Sequence, residues 1–207
     1  MRVYGDIASG NCYKIKLLLS LLGQDHEWQH VDILAGESET PEFLAMNPNG
    51  KIPVLVLDDG ETLSESNAIL HYLAEGTEFL PDGRLQRARV LQWQFFEQYS
   101  HEPYIAVARF IHKYLGLPDD KRADYEARQA GGYKALRVME NQLEITPYLA
   151  GRHYTIADIS LYAYTHVARE GGFDLTPFPA VCSWLGKVRS HPAHVTMEQF
   201  LPATTPV

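Results

Sequence analysis

The residues with the clearest chemical potential stand at the start of the first apolar helix, in the segment Ser9-Gly-Asn-Cys12. Their spacing is that of a C-x-x-C redox motif in which serine replaces the leading cysteine. Ser9 and Asn11 are also good helix caps, and capping is the simpler interpretation of the segment taken alone. The alternative is that Ser9 donates a hydrogen bond to a thiolate bound at the helix N-terminus.

Hydrogen bonding at such a position is strong enough to ionise a thiol. A thiol with a pKa near 8.5 is only about 3% ionised at pH 7, and lowering that pKa by two units takes about 2.7 kcal/mol. A hydrogen bond to a charged group contributes roughly 1.5–3 kcal/mol, and a helix N-terminus adds about 0.3–1 kcal/mol. A thiolate beside Ser9 therefore needs neither a metal nor a strong base.

A second candidate is the Ile52-Pro53 pair, which opens an apolar strand after the turn Asn49-Gly50. Proline at the first residue of a strand is ordinary, and only about 5–6% of X-Pro bonds in folded proteins are cis. In the cis form, however, the amide and carbonyl of Ile52 would turn outward and could pair with an extended peptide. Lys51 places one positive charge beside them.

The third candidate is Ser64-Glu-Ser-Asn67, at the start of another predicted helix. Capping by Ser64 or Ser66 is again the simpler interpretation. A helix N-terminus is also a ready site for a carboxylate. Ser66 and its amide would bind a ligand carboxylate, while Glu65 would bind an adjacent ammonium. An amino-acid-like terminus is the ligand that matches both.

The composition limits the classes of partner. The chain has 207 residues and a net charge of -8, without any run of lysine and arginine, so a surface that follows nucleic-acid phosphates is not expected. Cys12 and Cys182 form neither a metal-spaced cluster nor a disulfide framework. The N-terminus lacks the apolar region of a signal peptide, and the apolar run 15–22 is too short to span a bilayer. We expect a cytoplasmic protein without metal, nucleic acid or membrane partner.

The first third of the chain alternates strand and helix patterns in the order β-α-β-α-β-β-α, which is that of a thioredoxin-like domain. The predicted elements are a strand at 2–4, a helix at 12–22, a strand at 27–32, a helix at 40–46, a hairpin of 52–57 and 62–63, and a helix from Ser64 to about Ala74. The first β-α-β unit predicts a parallel pair of strands, and the Asp-Gly turn of the hairpin predicts an antiparallel pair.

Strand patterns end after this domain. Gly76 to Arg84 contains Pro81 and Gly83, as a linker does. Helical patterns follow at about 84–114, 120–145, 155–169 and 178–190, and Thr155-Ile-Ala-Asp158 predicts a capping box at the start of the third. The predicted domains are therefore a thioredoxin-like domain at 1–75, a linker at 76–84 and an all-helical domain at 85–207.

Taken together, these motifs resemble the cytosolic-type glutathione transferases over nearly the whole chain. The motifs that carry the resemblance are Asn47-Pro-x-Gly-x-Ile-Pro53, Glu65-Ser-x-Ala-Ile69 and the capping box. The resemblance implies a homodimer that binds glutathione as a co-substrate and no permanently bound cofactor. It also implies that Ile52 pairs with the cysteinyl backbone, that Glu65 and Ser66 hold the γ-glutamyl end, and that Lys51 lies near a glutathione carboxylate.

The class within the family rests on the segment 9–12. Ser9 matches the catalytic serine of theta-, zeta- and phi-like enzymes, and Asn11 matches in kind the asparagine of bacterial nu-like proteins, which resemble disulfide reductases. In beta-class enzymes the catalytic cysteine would fall at Ser9, so Cys12 is interpreted as a packed helix residue, although its place in a first helical turn leaves a reactive role open.

The resulting prediction is a glutathione transferase that activates the glutathione thiol for attack on a small electrophile, with Ser9 and Asn11 as donors to the thiolate. Its proposed role is detoxification. Tyr104 and Arg109, on the first long helix, are candidates for the second-substrate pocket, although an aromatic stripe at helical spacing is more often core. The alternatives are a glutathione-dependent disulfide reductase on the same site and a non-catalytic glutathione-binding or scaffold protein.

Overall fold

The computed structural model describes residues 1–197, which divide into two compact units. Unit 1 contains Met1–Glu75 and the described part of the segment that begins at Pro192, and unit 2 is Gly76–His191. The short segment after Pro192 belongs to unit 1 because it lies on the first helix. There Tyr13 donates its hydroxyl proton to the carbonyl of Val195 over 2.7 Å, and Ser20 donates to the carbonyl of Ala193 over 2.8 Å.

Unit 1 is built on a four-stranded mixed sheet with the order β2-β1-β3-β4. The strands are β1 (Arg2–Gly5), β2 (Glu27–His30), β3 (Val54–Val56) and β4 (Thr62–Ser64). Strand β1 pairs in parallel with β2 and antiparallel with β3, and β3 pairs antiparallel with β4. This confirms the predicted parallel β-α-β pair and the antiparallel hairpin of a thioredoxin-like domain.

Three helices complete the predicted order in unit 1: α1 (Gly10–Leu21), α2 (Pro41–Met46) and α3 (Ser66–Ala74). Helix α1 is a core element, because four of its apolar side chains are fully buried: Ile15, Leu17, Leu18 and Leu19. Burial of each such side chain contributes about 1.5–3 kcal/mol. The helix gives way to Gly23, whose φ of 61° is a conformation that glycine adopts at little cost.

The predicted start of the third helix is wrong by two residues. Ser64 does not open the helix but pairs with Val54 as the last residue of β4. The helix begins only at Ser66, after Glu65 has turned the chain with φ 66° and ψ 110°. Serine favours both caps and turns, and only the pairing with β3 decides which of the two serines ends the strand.

Unit 2 is helical. Its helices are α4 (Arg84–Phe96), α5 (Glu102–Arg109), α6 (Arg122–Leu143), α7 (Ile156–Thr165) and α8 (Pro179–Arg189). The predicted continuous helix at 84–114 is interrupted by π-helical turns at Glu97–His101 and Phe110–Tyr114. Pro103, in the first turn of α5, lacks the N–H that would continue the α-helical hydrogen bonding through the first of these turns.

The capping box of α7 is present, and its aspartate accepts several hydrogen bonds. Asp158 is fully buried and accepts hydrogen bonds from Thr155 N–H and Oγ, Leu149 N–H and Trp184 Nε1 at 2.9–3.1 Å. It therefore joins the start of α7 to the preceding loop and to α8.

Helix α8 begins at a second buried carboxylate. Both Glu140 oxygens accept backbone N–H bonds, one from Ala180 at 2.9 Å and the other from Val181 at 2.8 Å. Glu140 thereby satisfies two of the N–H groups that a helix N-terminus leaves without an intrahelical partner.

The described residues contain neither a membrane-spanning helix nor a cluster of metal-binding side chains. No helix within residues 1–197 has the length and apolar character needed to cross a membrane. In the same range, no three side chains of histidine, cysteine, aspartate or glutamate are grouped so that they could hold a metal ion.

Candidate functional site

The topology of the sheet brings the three candidate segments to one edge of unit 1. Tyr4 of β1 pairs with Val54 at the start of β3, and Val54 pairs with Ser64 at the end of β4. The chain therefore leaves β1 for α1, enters β3, and leaves β4 for α3 at neighbouring points. The segments at 9–12, 51–53 and 65–66, which are far apart in sequence, lie around this edge.

Ser9 caps helix α1. It has extended backbone angles of φ -75° and ψ 126°, and its Oγ accepts a long hydrogen bond of 3.5 Å from the amide of Cys12. Because the oxygen acts as acceptor in this bond, the hydroxyl proton is still available for donation. The side chain is half-buried. Capping and donation to a ligand are therefore compatible at Ser9.

Asn11 and Ser66 contact each other directly, across 55 positions of sequence. The Ser66 hydroxyl donates to Asn11 Oδ1 over 3.3 Å, and Ser66 is only 6% exposed. With Oδ1 occupied as acceptor, the Nδ2 group is the donor that Asn11 presents on its other side. The bond connects the start of α1 to the start of α3, the two helix ends at which thiolate and carboxylate binding are predicted.

The loop before β3 is held by Asn47. This residue is buried, and its Nδ2 donates to the carbonyl of Lys51 over 2.7 Å. The Ile52-Pro53 peptide bond that follows is cis. Ile52 is half-buried and precedes the sheet register, which begins at Val54, and Lys51 is exposed.

Glu65 combines an exposed side chain with a strained backbone. Its φ of 66° is positive, a conformation that costs a non-glycine residue on the order of 1–3 kcal/mol. Strain of this kind persists only where the surrounding structure enforces it, and here Glu65 is fixed between the last residue of β4 and the first residue of α3. Its role in binding an ammonium group stays a prediction.

Cys12 is packed rather than presented at the surface. It is fully buried in the first turn of α1, and its sulfur is so close to Gly5 that a Cβ added there would lie 2.6 Å from Sγ. Burial raises the pKa of the Cys12 thiol to about 12, although a hydrogen bond with Ser9 acts in the opposite direction. Because the thiolate is the nucleophile, a neutral buried thiol is inert at neutral pH.

The two thiols are therefore expected to differ in reactivity. In the folded protein only Cys182, which is exposed, should react with Ellman's reagent within minutes near pH 8, while Cys12 should react only after unfolding in denaturant. The matched variants are C12S, which should keep the fast reaction, and C182S, which should lose it. Rapid labelling of folded C182S would contradict the burial of Cys12.

One residue of the site was missed by the sequence analysis. Lys14 lies in α1, is 0% exposed, and donates from Nζ to Ser66 Oγ over 3.3 Å. Lysine is almost never fully buried unless it is paired. The available signal was a lysine between Tyr13 and Ile15, on a helix whose other residues are largely apolar.

The predicted second-substrate residues have partners within unit 2. Arg109 is 2% exposed and forms an ion pair of 2.6 Å with Glu170, and Lys113 binds the other oxygen of the same carboxylate. Partial burial raises the pKa of Glu170, but the bonds from Lys113 and Arg109 outweigh it and hold the pKa below its usual value. The ring of Tyr104 lies against Gly131 of α6.

Family models match both parts of the chain. The model for the glutathione S-transferase N-terminal domain matches residues 8–75, which include all the candidate residues of unit 1. The model for the glutathione S-transferase C-terminal domain matches residues 93–192.

Curated relatives and solved structures agree with these models. The chain is 36% identical to the disulfide-bond oxidoreductase YfcG of Escherichia coli (strain K12) over 190 residues, 88% of this chain and 87% of the relative. It is 32% identical to glutathione S-transferase 3 of Zea mays, covering 100% of this chain and 96% of the relative. A crystal structure of a glutathione S-transferase from Pseudomonas fluorescens superposes with a TM-score of 0.94 at 65% identity, covering 95% of this chain and 98% of the other.

Proposed function

This chain belongs to the glutathione S-transferase family, and we propose that it activates the thiol of glutathione for attack on a small electrophile. The observation that carries the proposal is the contact between Asn11 and Ser66, which joins the helix end suited to a thiolate with the helix end suited to a carboxylate. A γ-glutamyl peptide with a thiol in its middle residue has both groups.

The binding of glutathione is assigned to the edge of unit 1. The Ser66 backbone amide binds the γ-glutamyl carboxylate while the Ser66 hydroxyl keeps its bond to Asn11, and Glu65 binds the ammonium group beside the carboxylate. The backbone of Ile52 pairs with the cysteinyl residue, and Lys51 offsets the charge of a glutathione carboxylate. Lys51 and Glu65 are both exposed and thus accessible to a ligand.

The chemistry is stabilisation of the thiolate. On binding, the thiol proton passes to solvent, and the Ser9 hydroxyl and Asn11 Nδ2 donate hydrogen bonds to the sulfur. Each bond to a charged group is worth roughly 1.5–3 kcal/mol, enough in combination to lower a thiol pKa by two units. The sulfur lone pair then forms the bond to the electrophilic carbon while the leaving group departs with its bonding electrons.

A second candidate is reduction of mixed disulfides at the same site. It is favoured by the 36% identity to a relative named as a disulfide-bond oxidoreductase, over 88% of this chain. In this reaction the glutathione thiolate attacks the glutathionyl sulfur of a mixed disulfide, forming oxidised glutathione and releasing the other thiol. The step is balanced by glutathione alone, and the inert thiol of Cys12 takes no part.

The experiment compares the two reactions in the purified wild-type protein. Conjugation is followed with a chlorodinitrobenzene, disulfide reduction with a hydroxyethyl–glutathione mixed disulfide, and glutathione binding by calorimetry. Conjugation above the uncatalysed rate supports the first proposal, and reduction without conjugation replaces it with the second. Binding without either turnover would leave a non-catalytic glutathione-binding protein, and the absence of binding would overturn the assignment of the site.

The same proposal includes a homodimer and a role in detoxification, which follow from the family resemblance. It also includes a cytoplasmic location, which follows from the composition of the chain. Sedimentation of the purified protein tests the dimer directly: a single species of about twice the chain mass of 23.4 kDa is expected.

A further inference from the structure

The buried lysine of α1 is the group at the site to which the proposed chemistry gives no role. Lys14 is 0% exposed, and its Nζ lies 3.3 Å from Ser66 Oγ. It is three residues after Asn11, so both side chains lie on the same side of α1. Removing an ammonium group from water is costly, so buried lysines in proteins are paired. Buried charged groups of this kind are concentrated at functional sites.

The hydrogen bonds around Lys14 have a fixed direction. An ammonium group can only donate, so the Ser66 oxygen must be the acceptor in its bond with Lys14. The Ser66 hydroxyl uses its single proton to donate a hydrogen bond to Asn11 Oδ1, 3.3 Å away. Asn11 is thus held with its carbonyl oxygen toward Ser66, which leaves its Nδ2 group as the donor on the other branch of the amide.

The same direction would be less strongly favoured without the cation. A serine hydroxyl can equally accept from an amide nitrogen, and an asparagine side chain can exchange its oxygen and nitrogen by rotation. A neutral residue at position 14 would allow Ser66 to accept from Asn11 and the amide to turn. Lys14 disfavours this alternative, because its ammonium already donates to one of the two lone pairs of Ser66 Oγ, and its positive charge favours the Asn11 carbonyl oxygen over a second N–H donor beside that hydroxyl.

The charge of Lys14 also acts on the Cys12 thiol in the first turn of α1. Its positive charge lowers the pKa of the neighbouring Cys12 thiol, while the negative charge of Asp6 raises it. Asp6 belongs to the loop between β1 and α1, where its carboxylate accepts from the amide of Ala8 over 3.0 Å. The other charged groups assigned to the site are exposed: Lys51 before β3 and Glu65 before α3.

We propose that Lys14 is a positioning residue, which acts through Ser66 to hold the Asn11 amide donor toward the glutathione sulfur. The inference rests on the proposed function, because it assumes that Asn11 binds the thiolate. It also makes Ser66 a shared element, since the residue that binds the γ-glutamyl carboxylate at one end of glutathione transmits the effect of Lys14 to the thiol at the other end.

The test is the pKa of the glutathione thiol in the complex, titrated by the ultraviolet absorbance of the thiolate. In K14M this pKa should rise by about one unit, with kcat/KM about tenfold lower near pH 6.5 and approaching the wild-type value at high pH. K14R keeps the cation and should recover part of the loss. K16M is the matched control, because Lys16 is a half-buried lysine of the same helix that contacts His26 and lies outside the site.

A double-mutant cycle separates positioning from a general effect of charge. If Lys14 acts through Asn11, then K14M should add little to the effect of N11A, and the two losses should be strongly non-additive. Fully additive losses would overturn the positioning role. Circular dichroism checks the fold, and K14Q, which keeps a neutral donor, carries the same prediction of a raised thiol pKa if K14M does not fold.

The two proposals fail in different ways. A wild-type protein that binds glutathione without lowering its thiol pKa, or does not bind it, would overturn the proposed function. A wild-type protein that lowers the pKa, together with a K14M variant that titrates identically, would overturn only the role of Lys14.

Discussion

The S9A variant is expected to lose about a hundredfold in kcat/KM for glutathione turnover, since removal of one donor to a developing or bound anion typically costs 10²–10³-fold. The physical reason is that the helix cap uses only the Ser9 oxygen, which accepts from the Cys12 N–H. The hydroxyl proton is therefore available for the thiolate. The loss should be concentrated near neutral pH and diminish at a pH where glutathione is already ionised. Steady-state kinetics across pH measure both effects.

Two further variants isolate the hydroxyl from the cap. S9A also removes a helix cap worth about 1 kcal/mol, whereas S9T keeps both the cap and the donor and should retain most activity. S20A is the matched control, because Ser20 lies in the same helix and bonds to the carbonyl of Ala193 instead. Unchanged turnover in S9A together with a large loss in N11A would transfer the main role to Asn11.

The largest expected loss of stability is in D158A. Truncation leaves the buried donors of Leu149, Thr155 and Trp184 without their acceptor, and each unsatisfied group costs roughly 1–3 kcal/mol. We expect the free energy of unfolding to fall by about 3 kcal/mol or more, a large part of the 5–15 kcal/mol typical of a folded protein. Urea denaturation followed by circular dichroism measures the change.

The pH dependence of the same residue has a definite sign. Burial raises the pKa of Asp158 to about 6, although the bonds from Leu149, Thr155 and Trp184 act in the opposite direction. The folded protein therefore binds a proton that the unfolded chain releases near pH 4, so the stabilisation from this proton is present below about pH 4 and is lost as the pH rises through 6. The stability deficit of D158N relative to wild type should consequently be smaller near pH 7.5 than near pH 4.5.

The control for both measurements is D124N. Asp124 is a partly exposed carboxylate of the same unit, paired with Arg128 one helical turn away, and such pairs contribute only about 0.3–0.5 kcal/mol. Its stability should stay close to wild type at each pH. A D158A protein as stable as D124N would show that the four donors find other partners.

Much of unit 1 and one signal of unit 2 were predictable because they are local. The capping box Thr155–Asp158 needs only residues three apart in sequence, and it forms as expected. The Asp-Gly turn predicts the β3–β4 hairpin for the same reason, and the pairing of Leu55 with Leu63 confirms it. By contrast, no residue-level pattern separated the serines at 64 and 66, since both are good caps and only strand pairing distinguishes them.

By itself, the sequence determined the fold family, the order of the elements and the candidate positions 9, 11, 52, 65 and 66, because each depends on side-chain type and short spacing. Only the tertiary structure decided that Ser66 bonds to Asn11, that Cys12 packs against Gly5, and that the buried Lys14 bonds to Ser66 at the start of α3. The two bonds to Ser66 join residues that are more than 50 positions apart in the sequence. The energy of a buried lysine or thiol depends on the groups around it, and the chain supplies those groups only once it has folded.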